Sequence, residues 1–351
     1  MLEEIVTPLV KWYRENKRIL PWRDKGNAYY TWVSEIMLQQ TRVEAVKPYF
    51  ERFITELPDV ESLADCPQEK LLKLWEGLGY YNRVRNMQEA AQTVKKEYNG
   101  RLPEDYQALL SLKGIGSYTA GAIASIAYGI NVPAVDGNVL RVISRITESA
   151  EDISRQAVRK KIEQQLQEIM PEECPGDFNQ ALMELGAVVC IPNGKAKCGE
   201  CPVASVCLAY RHDKVDSLPV KAPKKARMLE DRTVFIIQDG ECTAIRKRPE
   251  KGLLAGLYEL PNIQGHLKRE EALLYVEKMG LDPLYIEKLP PAKHIFSHIE
   301  WRMQAYRIKV SSLKTTQDKE LIFVSKEQSG KQYAIPSAFG AYAKYIKEET
   351  R

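Results

Sequence analysis

The 351-residue chain has no run of about 18 apolar residues, so the sequence offers no candidate for a helix crossing a membrane. Its opening stretch, MLEEIVTPLVKWYRENKR, carries acids early and lacks a small-residue cleavage site, so it does not read as a secretory signal and the expected location is cytoplasmic. A large excess of one charge is also missing. Lys plus Arg number 51 against 47 for Asp plus Glu, a net charge of +4, which permits nucleic-acid binding without requiring it. No internal repeat and no low-complexity tract occurs. The cysteines number seven, an odd count that argues against a disulfide framework, and four of them crowd between Cys190 and Cys207. What the chain does have is ample apolar material, 44% of its residues, enough for sizeable packed cores.

Strand-like alternation is rare before residue 210, where amphipathic stretches such as ESLADCPQEKLLKLWEGLG and NMQEAAQTVKKEYNG recur between Gly and Pro punctuation. Residues 1–210 are therefore expected to form a mostly α domain. Residues 211–228 are charged, hold two prolines and lack periodicity, and read as a linker, partly ordered at best. From 229 to 351 the pattern becomes α+β. RTVFIIQDGECTAIRKRP predicts two strands with a turn at Asp239-Gly240, and WRMQAYRIKV and ELIFVSK predict two more. KREEALLYVEKMG and SAFGAYAKYIKEE predict helices.

Within the helical part, EDYQALLSL, KGIG and SYTAGAIASIAYG read as helix, turn, helix. Gly114 and Gly116 would permit positive φ and close backbone approach, and the start of the second helix offers free N–H groups to an anion. Taken alone, such a turn is more readily a packing feature, because such turns are common. Asp136 precedes GNVLRVISRI and suits a helix N-cap, a position that also favours the ionised carboxylate. Glu35 sits among Trp32, Val33, Ile36, Met37 and Leu38. By itself it reads as solvent-facing, because buried glutamates are rare; buried, it would hold a proton near neutral pH and serve as a general acid.

The glycine turn, then Pro133 and Asp136, then the cysteine group, resembles in order the helix-hairpin-helix, Gly/Pro/Asp (HhH-GPD) family of base-excision DNA glycosylases, over about residues 1–210. The resemblance implies two helical lobes with the active site in the cleft between them and a hairpin whose amides hold DNA phosphates. Lyase members such as endonuclease III carry a lysine just after the turn, an amine able to form a Schiff base. Tyr118 stands there, which implies base release without that cleavage step. LPWR, SEIMLQQTRV, EGLGYYNRVRN, LKGIGSYTAG, VDGNV and FNQALMELGAVVC are together similar to the MutY family of adenine DNA glycosylases, which remove adenine opposite 8-oxoguanine or guanine. That resemblance implies Glu35 as the acid toward adenine N7, Asp136 and Tyr118 as stabilisers of the cationic sugar, and Asn138 as an orienting residue. It places Trp22, Arg23 and Gln180 around the adenine. It places Gln40, Thr41, Leu78 and Tyr80 beside the orphaned purine, where apolar and aromatic wedges suit a flipped-out base. Without it, Trp22 reads as core, Arg23 as a surface ion pair and Gln180 as a water-facing side chain. Two other functions fit parts of the pattern: a glycosylase-lyase for oxidised pyrimidines, and a non-catalytic DNA-binding protein.

The spacing Cys190-x7-Cys198-x2-Cys201-x5-Cys207 points to a metal centre. One CxxC pair alone is poor for zinc, and irregular spacing suits an iron–sulfur cluster better, though both use four thiolates. The family resemblance implies a [4Fe–4S] cluster. The family's first gap is six residues; here it is seven, within the loop IPNGKAK, whose Lys195 and Lys197 are candidates for phosphate contact.

KGLLAGLYELP and the helix after it resemble the NUDIX-like (MutT-like) C-terminal domain of that family. Counting back from Gly280, Glu277-Lys278 and Leu273-Leu274 stand where NUDIX hydrolases hold metal-binding acids, so recognition rather than hydrolysis is expected. HIFSHIEW resembles the family's lesion-reading loop, which implies Phe296, Ser297 and His298 as contacts to 8-oxoguanine; Ser297 can donate or accept at an altered base edge. The expected partner is double-stranded DNA holding A:8-oxoguanine or A:G mispairs, bound by a monomer, with the bacterial nucleoid as the setting.

Overall fold

The computed structural model describes residues 2–23, 26–223 and 226–347, and it divides into two compact units. The first comprises Met1–Cys66 and Asn82–Pro223, and the second Pro67–Tyr81 and Lys224–Arg351. The described residues of the first unit form helices and connecting turns. They are α1 (Val6–Asn16), α2 (Ala28–Leu38), α3 (Val43–Glu56), α4 (Val60–Asp65), α6 (Asn82–Glu97), α7 (Tyr106–Ser111), α8 (Ser117–Tyr128), α9 (Gly137–Ile146), α10 (Gln156–Ile169), α11 (Pro175–Val188) and α12 (Leu208–Arg211), with α5 (Gln68–Leu74) in the second unit.

Short polar residues set the helix starts. Asn27 accepts the Tyr30 N–H, Asp105 the Ala108 N–H and Asp136 the Val139 N–H, while Asp59 and Ser62 form a reciprocal capping box. Helix α2 is apolar almost all round and is buried at Tyr29 and from Thr31 to Met37, which places it inside the unit rather than on its surface. One core cluster joins Ile5, just before α1, and Leu9 and Tyr13 of α1 to Val139, Ile143, Phe178, Leu182 and the segment up to Leu218, so the N-terminal helix closes onto α9 and α11. Residues 211–223, expected to be linker, belong to this unit. Leu218 is buried in its core, Val220 accepts the Ile153 N–H, and Asp152 accepts the Ala222 N–H. Tertiary partners, not local periodicity, order that stretch.

The second unit is built on a sheet whose strands are β1 (Met228–Asp239), β2 (Cys242–Lys247), β3 (Tyr258–Glu259), β4 (Asn262–Gln264), β5 (Pro283–Ile295), β6 (Ile299–Val310) and β7 (Leu321–Ser325). The order is β3-β2-β1-β6-β5, with β4 also paired to β1 and β7 to β2. β1 and β6 run parallel, Val234 opposite Ala305; the β1–β2 hairpin closes through Asp239↔Cys242, with Gly240 at φ 57 in the turn. Alternation along β1 feeds two cores. Val234 and Ile236 face Trp301, Met303 and Phe339; Phe235 and Ile237 face Ala272 and Val276 of α13 (Arg269–Lys278). α14 (Lys326–Gln332) follows β7. The SAFGAYAKYIKEE stretch is a 3₁₀ helix, Ser337–Tyr345, rather than α, with Ala338, Phe339 and Tyr342 buried. β5 escaped sequence reading because Pro290-Pro291 interrupts it. It is an edge strand whose register shifts between Leu289 and Ala292, where missing N–H groups cost nothing.

Candidate active site

Glu35 is 7% exposed in mid-α2, so the isolated expectation of a solvent-facing glutamate does not hold. The Tyr118 hydroxyl, from the first turn of α8, donates to Glu35 Oε2 and also lies 3.8 Å from Met183 Sδ on α11. Burial pushes the Glu35 carboxyl up to about 7; the Tyr118 bond opposes that rise, the Asp136 charge adds to it and Arg23 opposes it. Burial and the two neighbouring acids hold the Tyr118 phenol far above its ordinary range, so it remains an O–H donor.

Asp136 caps α9. Its Oδ1 accepts the Val139 N–H at 2.8 Å and its Oδ2 accepts Asn138 Nδ2 at 2.7 Å. Burial holds this carboxyl above its ordinary value, against the opposing Val139 and Asn138 bonds and the Arg141 charge, and both oxygens act as acceptors in the manner of a carboxylate. Asn138 Oδ1 in turn accepts Arg141 Nη2 at 3.0 Å, and Arg141 also donates to the carbonyls of Gly186 at 2.7 Å and Cys190 at 2.8 Å. A Cβ on Gly186 would lie 2.6 Å from the Asn138 Cβ, so only glycine lets α11 pass this close to the start of α9. Asn179, fully buried, accepts the Ala134 N–H and donates to the Val132 carbonyl, which fixes the strand-like approach to Asp136.

The hairpin between α7 and α8 behaves as expected at one glycine and differently at the other. Gly114 has φ 77, and a Cβ there would lie 2.7 Å from Asn86 Cβ. Gly116 is extended at φ −96 as the N-cap of α8, and a Cβ would meet open space. Positive φ is thus no reason for Gly116; what its missing side chain leaves is room beside the N–H groups of α8. Gly114, Gly116, Ser117, Gln39 and Arg159 line one open depression there.

Cys190, Cys198, Cys201 and Cys207 line one pocket with apolar walls from Val142, Ile146, Leu185 and Val203. Arg145 Nη1 lies 3.2 Å from Cys190 Sγ, and its Nε donates to the Leu218 carbonyl at 2.9 Å. Burial pushes the Cys201 thiol up to about 12 and raises Cys198 and Cys207, so a metal centre must replace their protons for thiolates to persist here. Among the described residues no three such side chains converge as a single ion requires. Four cysteines sharing one apolar pocket are a donor set that fits a thiolate-held metal centre. The seven-residue gap does not remove Cys190 from this wall.

Residues 33–170 match the model of the HhH-GPD superfamily base excision DNA repair proteins, and residues 233–345 match that of the NUDIX domain. The adenine DNA glycosylase of Mus musculus is 34% identical over 86% of this chain and 69% of its own length. That of Buchnera aphidicola subsp. Acyrthosiphon pisum is 35% identical, with 85% of each chain covered.

The chain belongs to the adenine DNA glycosylase family. It is an enzyme of base excision repair that acts on DNA and hydrolyses the N-glycosyl bond of adenine. In fold it is also similar to a thermostable thymine-DNA glycosylase, with a TM-score of 0.54 and 27% identity over 60% of this chain and 97% of that one.

The other residues singled out in the sequence of this adenine glycosylase take varied positions. Trp22 is buried edge-on against Phe50, 5.2 Å between centroids. Arg23 makes an ion pair, but a buried one, to Glu184 at 2.9 Å. Gln180 is half-buried on α11 and donates Nε2 to the Gly176 carbonyl at 3.3 Å. Gln40 is exposed at φ 63 just past α2, and Thr41 is half-buried. In the second unit Leu78 is 5% exposed, so it packs inside, whereas Tyr80 is 50% exposed at φ 47. The Tyr80 hydroxyl lies 3.2 Å from Ser297 Oγ.

Ser297 sits in the turn joining β5 to β6, closed by the Phe296 N–H to the Ile299 carbonyl at 2.8 Å. Phe296 is half-buried between His294 and Trp301, while Ser297 and His298 are exposed. Sequence reading missed Asn179, Arg141, Arg145 and Glu184. The first and last lie inside the quoted FNQALMELG run, where a polar residue recurring on an otherwise buried helix face was the available signal.

Proposed function

We propose that this enzyme excises adenine opposite 8-oxoguanine, with guanine as the weaker partner, and releases the base by protonating it before water attacks the sugar. The observation that carries the reading is Glu35: a buried carboxyl that holds its proton to about pH 7, hydrogen-bonded to Tyr118 and acted on by Asp136. Adenine leaves poorly as an anion, and a proton delivered to N7 lets it leave neutral. The sugar left behind is an oxocarbenium-like cation. Asp136, kept an acceptor by Val139 and Asn138, supplies the opposing charge, and the Tyr118 oxygen, on which the Asp136 charge also acts, would add to it. After departure Glu35, now ionised, accepts a proton from the attacking water. No amine stands at position 118, so no covalent sugar intermediate forms there.

Trp22, Arg23 and Gln180 would line the adenine; Gln40, Thr41, Leu78 and Tyr80 would attend the orphaned purine, Leu78 by shaping the turn beneath Tyr80. The amides from Gly114 through Ser117 would hold a phosphate. Cys190, Cys198, Cys201 and Cys207 would hold a [4Fe–4S] cluster, which supplies structural cross-linking when bound and would position the loop against DNA; Lys195 and Lys197 of that loop would supply the positive charge. The exposed Ser297 and His298 would read the 8-oxoguanine edge, with Phe296 anchoring the turn. The protein would act as a monomer in the bacterial nucleoid.

The double variant Ser297→Ala, His298→Ala tests the lesion reading. Single-turnover release is measured on duplexes with adenine opposite 8-oxoguanine and opposite guanine. The ratio of the two rates is expected to shrink about tenfold, the scale of one or two lost hydrogen bonds. An unchanged ratio would remove this turn from lesion recognition.

A further inference from the structure

The loop between α1 and α2 carries Leu20-Pro21-Trp22-Arg23 and, among the described residues, two backbone bonds: Lys17 N–H to the Tyr13 carbonyl and Arg23 N–H to that of Leu20 at 3.0 Å. One side chain on α11 ties it down. Glu184, 1% exposed, accepts Arg18 Nε at 2.5 Å, Arg18 Nη2 at 3.1 Å, the Arg18 backbone N–H at 3.2 Å and Arg23 Nη2 at 2.9 Å. Arg23 also donates Nη1 to the Arg18 carbonyl at 2.8 Å and lies over the Tyr13 ring at 5.4 Å, while its buried Nε has no partner among the described residues. Burial alone would raise Glu184, yet the two guanidinia hold it below the ordinary carboxylate range.

The groups acting on Glu35 come from three elements. They are the Tyr118 hydroxyl of α8, the Asp136 carboxylate at the start of α9 and the Arg23 cation of this loop. A general acid beside a buried cation is at risk, because an opposite charge favours loss of its proton.

We propose that Glu184 is a positioning residue for adenine excision, which holds Arg23 at the base pocket and supplies its counter-charge. With Glu184 ionised, the field of Arg23 is largely spent on Glu184, and Glu35 stays protonated; the inference rests on the reading of Glu35 as the acid. Removing the charge at 184 leaves the buried Arg23 guanidinium, the cation that acts on Glu35, without its counter-charge.

The test is single-turnover adenine release as a function of pH for Glu184→Gln, Glu184→Asp, Arg23→Gln and the double variant Glu184→Gln, Arg23→Gln, with thermal unfolding recorded for each. Glu184→Gln is expected to move the alkaline limb down by about one pH unit, the usual reach of a nearby charge on a carboxyl. It should therefore lose about tenfold at pH 8 and recover to within about threefold of wild type at acid pH. Glu184→Asp keeps the charge on a shorter stem and is expected to keep the wild-type limb at a several-fold lower rate; should Glu184→Gln not fold, a displaced limb in Glu184→Asp overturns the charge role. The double variant is expected to be no slower than Arg23→Gln alone. A loss equal at all pH values, or losses at 184 and 23 that multiply, would overturn the proposal. A wild-type profile without any limb would instead overturn the Glu35 reading, and the two-residue cycle at one pH would still decide whether 184 acts through 23.

Discussion

Glu35→Gln is expected to abolish adenine release, lowering the single-turnover rate by roughly 10²–10⁴-fold, the range a positioned general acid contributes. Mispair binding should stay within a few-fold, because Glu35 is buried behind the hairpin depression and not part of its phosphate-facing rim. The amide keeps the shape and can still accept the Tyr118 O–H, so what is lost is the proton.

The same variant should be more stable than wild type above neutral pH. The Glu35 carboxyl is raised in the folded state to about 7, so the folded protein holds this proton more tightly than the unfolded chain. The group's favourable contribution is therefore present below the unfolded value and lost as pH rises through about 7. At pH 8 the wild type bears a buried charge that glutamine does not, worth about 3 kcal/mol for a shift of this size. Thermal unfolding at pH 5 and pH 8 checks it: the variant's advantage should appear only at the higher pH. Equal stability at both would mean that Glu35 ionises as freely as an exposed acid.

Asp136→Asn separates electrostatics from folding. Asparagine is as good an N-cap as aspartate, and its carbonyl oxygen can still accept the Val139 N–H, so α9 should keep its start; its amide nitrogen cannot accept Asn138 Nδ2, so stability should fall by no more than one lost buried hydrogen bond, about 1–3 kcal/mol. What disappears is the negative charge opposite the developing sugar cation. Loss of one well-aimed electrostatic partner costs about 10²–10³-fold in rate. Single-turnover assays with an unfolding control measure both quantities. A wild-type rate in the variant would reduce Asp136 to a helix cap.

The two acids differ in how far they could be read without coordinates. Asp136 was legible as a cap because capping is local: residue type, position and the helix after it lie within a few residues. Glu35 was not legible by pattern alone. Nothing in YYTWVSEIMLQQTR says which side of an all-apolar helix meets solvent, and burial is decided by α8, whose Tyr118 is 83 residues away. The supporting polar residues were less legible still. Glu184, Asn179 and Arg141 find their partners 161, 45 and 45 residues distant, distances at which spacing carries no information.

In the second unit, β1, β2, β6 and β7 followed from alternation and a two-residue turn, whereas β5 was hidden by its paired prolines. The Ser297 turn is short and ordinary as sequence; its proximity to Tyr80, 217 residues earlier, is what marks it.

The most direct test of the acid at position 35 is the pH dependence of the chemical step in the wild-type enzyme. Adenine release is measured under single-turnover conditions with saturating enzyme from about pH 5 to 9, a span that brackets the expected pKa of a tuned general acid. The rate is expected to be level on the acid side and to fall above a midpoint near 7, with a slope approaching tenfold per pH unit, as Glu35 loses its proton. A rate that holds constant through pH 9 would contradict the account, because no proton on a carboxyl at position 35 would then be taking part.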